Sequence, residues 1–121
     1  MTEDFAEALR AVVTERLSAV TFVMDYWQLA FDGHGLTILT RISVKGPSWQ
    51  VSDGDPEFRN RLCGCVGDAV ADVAFRHGDC LALTFVGGSI VEVSLRDQDY
   101  RGPEAIHFHL RGSGVGCDYI L

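Results

Sequence analysis

Residues 19–44 read AVTFVMDYWQLAFDGHGLTILTRISV, and residues 69–95 read AVADVAFRHGDCLALTFVGGSIVEVSL. Val20 and Phe22 match Val73 and Phe75. Trp27, Leu29 and Phe31 match Leu81, Leu83 and Phe85, and Leu36, Ile38 and Thr40 match Val91, Val93 and Leu95. The offset between partners grows from 53 to 54 to 55, so each intervening turn is one residue longer in the second stretch. Apolar residues two apart mark strands with one buried face. A recurrence at this spacing sets an architecture before any chemistry is considered.

Working outward, the first stretch predicts strands over 19–24, 27–32 and 36–44, with Asp32-Gly33-His34-Gly35 as a hairpin loop that tolerates positive φ. Lys45-Gly46-Pro47 turns the chain into a short strand over 48–52. The second stretch predicts strands over 69–76, 80–85 and 89–95, a polar connection, and a last strand over 105–110. Gly102-Pro103 then stands where Gly46-Pro47 stood. Each set follows a helix. The spacing of Phe5, Leu9, Val12, Val13 and Leu17 predicts one over 3–17. Asp55-Pro56 opens a second, with Asp55 as N-cap and Phe58 and Leu62 facing inward.

Residues 3–52 and 55–110 therefore read as two copies of one unit within a single domain, 1–121. One such unit buries too little apolar surface to stand alone. The expectation is an α+β fold: two tandem helix-plus-four-strand meanders sharing one mainly antiparallel sheet or a partly closed barrel. The segment 112–116, rich in glycine and serine, reads as a flexible tail.

The 121 residues are 47% hydrophobic and 22% charged, as in a folded globular chain. Seventeen acidic against ten basic residues leave a net charge of −7. That sign repels phosphate backbones and anionic membranes, so neither nucleic acid nor a membrane is the expected partner, and it suits a basic one. No apolar stretch reaches the ~20 residues that span a bilayer. Met1-Thr2-Glu3-Asp4 lacks the basic start of a secretory signal. A cytoplasmic location is expected, with Cys63, Cys65, Cys80 and Cys117 as thiols.

His107-Phe108-His109 is the strongest chemical motif. Residues two apart on a strand project together, so the two imidazoles lie side by side as a pair of divalent-metal ligands. Glu104, Cys117 and Asp118 are the nearest candidates for a third ligand, and two half-exposed histidines on a polar face are the plainer alternative. No other cofactor is suggested. Cys63-Gly64-Cys65 is spaced too closely for a structural zinc knuckle, and no second pair follows. Cys80 with His77 is the one conceivable thiol–base couple. No catalytic set stands out. Tyr26, Trp27, Trp49 and Tyr100 fall at or near strand ends, with Glu104 beside the second Gly-Pro turn. They read either as a binding surface or as plugs at the ends of the core.

Residues 81–90, LALTFVGGSI, and 100–105, YRGPEA, resemble stretches of small uncharacterised bacterial proteins. Some proteins of that build are similar to the immunity proteins of polymorphic toxin systems. The resemblance implies a stoichiometric binder whose acidic surface meets a basic toxin, and it transfers no site residues. The expected function is that of a non-enzymatic binding or interaction protein, acting on a protein partner or by self-association as a homo-oligomer. The alternative is a metal- or small-ligand-binding protein centred on His107 and His109.

Overall fold

The computed structural model describes residues 2–111 and 116–121, with the side chains of residues 5–110, 120 and 121. In chain order the elements are α1 (Thr2–Leu9), a 3₁₀ turn (Arg10–Val12), β1 (Ala19–Val23), β2 (Tyr26–Phe31), β3 (His34–Ile38), β4 (Ile42–Lys45) and β5 (Gln50–Ser52). Then come α2 (Phe58–Cys63), β6 (Val70–Arg76), β7 (Cys80–Phe85), β8 (Ile90–Ser94), a 3₁₀ turn (Asp97–Asp99), β9 (Ile106–Arg111) and β10 (Gly116–Ile120).

The strands form two five-stranded sheets, ordered β1-β2-β3-β9-β10 and β6-β7-β8-β4-β5, and every strand pair is antiparallel. Each sheet is thus a three-stranded meander from one half of the chain, extended by a hairpin from the other half. The meander registers correspond. Val20 stands opposite Leu29 and Val73 opposite Leu83, while Leu29 stands opposite Leu36 and Leu83 opposite Val91. Their inward residues, among them Leu29, Phe31, Leu36, Ile38, Leu81, Leu83, Phe85, Val91 and Val93, are buried in one cluster that both sheets share.

The helices bridge the sheets. The Phe5 ring of α1 lies 5.3 Å from Phe75 on β6 and 6.2 Å from Phe108 on β9, one strand in each sheet. Phe58 of α2 meets Trp27 of β2 edge-on at 5.7 Å, while the helix packs on β4 and β5 of the other sheet. Each buried phenylalanine adds about 1.5–3 kcal/mol of apolar burial.

Several expectations give way. The meanders share a core but not a sheet, and among the described residues no barrel closes. The strand expected over 36–44 is two strands. Residues 39–41 leave β3 and carry the chain into the opposite sheet as β4. Inward parity survives the crossing, with Leu36, Ile38, Thr40, Ile42 and Val44 all buried, because both sheets face the same core. In the second half, residues 95–105 make the reciprocal crossing to β9. Gly46-Pro47 therefore lies in the β4–β5 turn, whereas Gly102-Pro103 lies in the crossing connection, so the two dipeptides are not topological counterparts.

The helix expected over 3–17 ends at Val12. Thr14 takes φ 76° and the chain runs on extended, with Leu17 donating its N–H to the Asp68 carbonyl and accepting from Gly67 N–H. Asp55 does not cap α2. Its carboxylate accepts the Ser52 N–H at 2.7 Å to close the preceding turn, and the helix starts later, at Phe58. Of the expected flexible tail, 112–115 lie outside the described residues, and Gly116 begins β10.

The two crossings are bonded to each other. Leu39 N–H donates to the Ala105 carbonyl, Ser94 N–H to the Arg41 carbonyl, and the Thr40 hydroxyl to the Asp99 carbonyl at 2.9 Å. Thr40 is the buried polar side chain at this junction. Thr40→Val keeps the shape and leaves the carbonyl without that donor, which should cost about 1–3 kcal/mol. Urea unfolding should show the midpoint falling with an unchanged slope.

Candidate functional site

α2 is a short helix with two faces of different character. Phe58 and Leu62, four residues apart, form its buried stripe. At about 100° per residue, Arg59 and Arg61 fall on opposite flanks of that stripe. Each guanidinium lies over an aromatic ring from another element. Arg59 is 5.2 Å from the Phe22 centroid on β1, and Arg61 is 4.1 Å from the Trp49 centroid in the β4–β5 turn. A third, Arg101 from the second crossing, is 5.6 Å from the Trp27 ring and ion-pairs with Asp53 at 2.5 Å. Among the described residues, neither Arg59 nor Arg61 has a carboxylate within ion-pair distance.

Gly46 explains how Trp49 reaches this position. A Cβ at residue 46 would collide with the indole, so only glycine lets the ring lie flat against the turn. A guanidinium laid on a ring keeps its in-plane N–H donors directed outward. The arrangement places guanidinium donors, suited to a carboxylate, beside partly exposed apolar rings.

The residues singled out from sequence are divided by this geometry. Trp27 and Trp49 both reach the α2 cluster. Tyr26 does not, because neighbours on a strand point to opposite faces and it projects from the outer side of β2. Tyr100 is half-buried and borders two concavities. One, of about 360 Å³, is lined by Phe75, His77, Leu95 and Leu121, and the other, of about 350 Å³, lies beside Asp53 and Arg101. Glu104 is exposed and shares a cleft of about 230 Å³ with Asp25, Leu39 and Arg101. Arg101 thus joins the Trp27 contact to the surroundings of both Tyr100 and Glu104.

His107 and His109 project together from the outer face of β9, as their spacing requires. His107 stands opposite Thr37 on β3 and Ile120 on β10, and its Nε2 is shielded from solvent. His109 is exposed beside Gly35 and stands opposite Asp118 on β10. The side chains of Cys117 and Asp118 lie outside those described, and Glu104 joins no such group. Among the described residues no three metal-ligating side chains gather.

Cys80 and His77 separate as well. Cys80 lines a polar concavity of about 210 Å³ on the outer face of β4, β7 and β8, with Ser43, Glu92, Ser94 and Asp99. His77 lines the concavity beside Phe75 instead. Burial, then the charges of Glu92 and Asp79, push the Cys80 thiol up, which is the wrong direction for a thiolate nucleophile. Burial also raises Cys65, whose sulfur donates toward the Arg61 carbonyl at 3.7 Å.

The residues that sequence reading missed are Phe22, Arg59, Arg61 and Arg101. A signal was present in Phe58-Arg59-Asn60-Arg61, where two of the ten basic residues fall within one six-residue helix of an acidic chain. Comparison with protein-family models, curated proteins and solved structures finds no match for this chain.

Three outcomes follow from the geometry. Iodoacetamide at pH 8, read by tandem mass spectrometry, should modify exposed Cys63 well before Cys65 and Cys80. The stability linked to the neutral Cys65 thiol should be complete below its ordinary value of 9.0 and decline as pH rises toward the raised one. Gly46→Ala should displace Trp49, shifting tryptophan emission to longer wavelength and destabilising the fold by about 1–3 kcal/mol.

Proposed function

We propose that this protein is a non-enzymatic binder whose contact face is the arginine–aromatic cluster around α2. The observation that carries the reading is the pair Arg59 and Arg61. Both are exposed, both are held on aromatic rings, and neither has an ion-pair partner among the described residues, in a chain of net charge −7. Tryptophan and arginine are the residue types that most often dominate binding energy. Because the rings already restrict the side chains, less rotamer entropy is lost when a partner docks.

The chemistry of the face fits a protein segment carrying carboxylates and apolar side chains. Trp27, Trp49 and Arg101 extend it, and Tyr100 and Glu104 border it through Arg101. A stoichiometric role of the immunity-protein kind is compatible with such a face. The acidic remainder of the surface then sets long-range steering rather than the contact itself. The corresponding meander registers support reading 3–52 and 55–110 as copies of one ancestral unit, with the contact face an addition at one helix. Arg59 and Arg61 have no arginine at matching places in α1.

A peptide-display selection on the full chain tests the reading. Enriched peptides should combine acidic and aromatic residues, and Arg59→Ala with Arg61→Ala should weaken them by about tenfold or more. Enrichment of basic peptides indifferent to both substitutions would assign binding to the acidic surface and overturn the proposal.

A further inference from the structure

The two sheets have four outer strands: β1 and β10 in one, β5 and β6 in the other. An outer strand exposes a row of backbone donors and acceptors, which natural sheets blunt by shortness, charge or irregularity. β5 has only three residues. β6 carries Asp72 and Arg76, breaks register between Val70 and Asp72, and has its start bridged by Val13. β10 contains Gly116 and Asp118. β1 has none of these devices. Ala19–Val23 is five residues long, free of charge, glycine and proline, and pairs among the named strands with β2 alone. Met24, directly after it, is 94% exposed.

The inward side of β1 is also incompletely covered. Leu29 and Phe31 on neighbouring β2 are buried, but Val20 and Phe22 on β1 are only half-buried, and the Arg59 guanidinium lies over the Phe22 ring. Ala19 and Thr21 face solvent on the other side.

We propose that β1 is the pairing edge for a second copy of this chain, giving a two-fold dimer in which the sheets β1-β2-β3-β9-β10 join across the axis. The occupant follows from the strand's self-complementarity. Paired antiparallel about Thr21, Val20 meets Phe22 of the second copy, Ala19 meets Val23, and Thr21 meets Thr21. These are the aliphatic, aromatic and hydroxyl pairings that stabilise adjacent strands. The register brings no like charges together, although each chain carries −7. The contact is isologous, so it uses both β1 edges and closes at two chains, and the blunted edges elsewhere oppose further growth. Two five-residue strands make a small contact, below the range of permanent interfaces, so the dimer is a weak one. The pairing edge and the α2 face share Phe22, over which Arg59 lies, but a peptide captured at α2 and a strand paired at β1 are read by different experiments.

Sedimentation equilibrium of the full chain between about 5 and 500 µM should show a monomer passing to a dimer. Thr21→Lys, which sets two ammonium groups face to face at the axis, should leave a monomer throughout, with unchanged circular dichroism. Ala19→Lys, which sets a charged side chain opposite Val23 of the second copy, should also oppose dimerisation and keeps the test intact should the first variant misfold. Ala74→Lys, on the exposed side of β6, should dimerise like the natural chain. A natural chain that stays monomeric at the highest concentration overturns the proposal. So does a dimer that survives lysine at both 19 and 21, or one abolished by lysine at 74.

Discussion

The fold depends on an exchange. Each half of the chain surrenders its last hairpin to the sheet of the other half, and the two crossing segments, 39–41 and 95–105, are hydrogen-bonded where they pass. The constraint is geometric before it is energetic. A three-stranded meander of five to seven residues per strand has too little apolar face to bury a core alone, and a hairpin of its own would leave the two sheets linked only by side-chain packing. Reciprocal donation makes the sheets interdependent. Each reaches its full complement of strands only when the other half of the chain has crossed to it. Thr40 sits at that point because a fully buried hydroxyl can satisfy the Asp99 carbonyl without bringing water into the core.

The same exchange positions the arginine–aromatic cluster. β4 and β5 reach the second sheet only by crossing, and the turn between them brings Trp49 beside α2. The second crossing returns past the first sheet and places Arg101 over Trp27 and against Asp53. Three rings and three guanidiniums from distant segments thus meet at one short helix. An exposed arginine–ring contact contributes only about 0.5–1 kcal/mol, so the cluster is better suited to holding donors in place than to stabilising the fold. In an acidic molecule, arginines kept clear of carboxylates are available to an outside acceptor.

Much of the fold was legible in residue order. The period-two alternation located β1, β2, β3, β6, β7 and β8, and the second helix was expected after Asp55-Pro56 with Phe58 and Leu62 inward, as they are. The crossing after Ile38 was hidden for a definite reason. Inward residues of both sheets point at one core, so Leu36 through Val44 alternate without a break even though the chain changes sheets midway. The Gly-Pro match misled because turn chemistry reports a local bend and not the strand that follows. The helix expected through Leu17 stopped at Val12 because the backbone of 14–17 finds partners at 67–70, which no local pattern records.

By itself the amino-acid sequence determined what depends on near neighbours: the strand faces, two amphipathic helix segments, and the shared projection of His107 and His109. Tertiary structure alone decided which sheet each strand joins, that Tyr26 turns away while Trp27 and Trp49 converge, and that Arg59, Arg61 and Arg101 settle on rings distant in the chain. The physical reason is that alternation and capping are set by a residue and its next few neighbours. Sheet membership and cation–ring contacts are set by which of several equally apolar surfaces come to share one core.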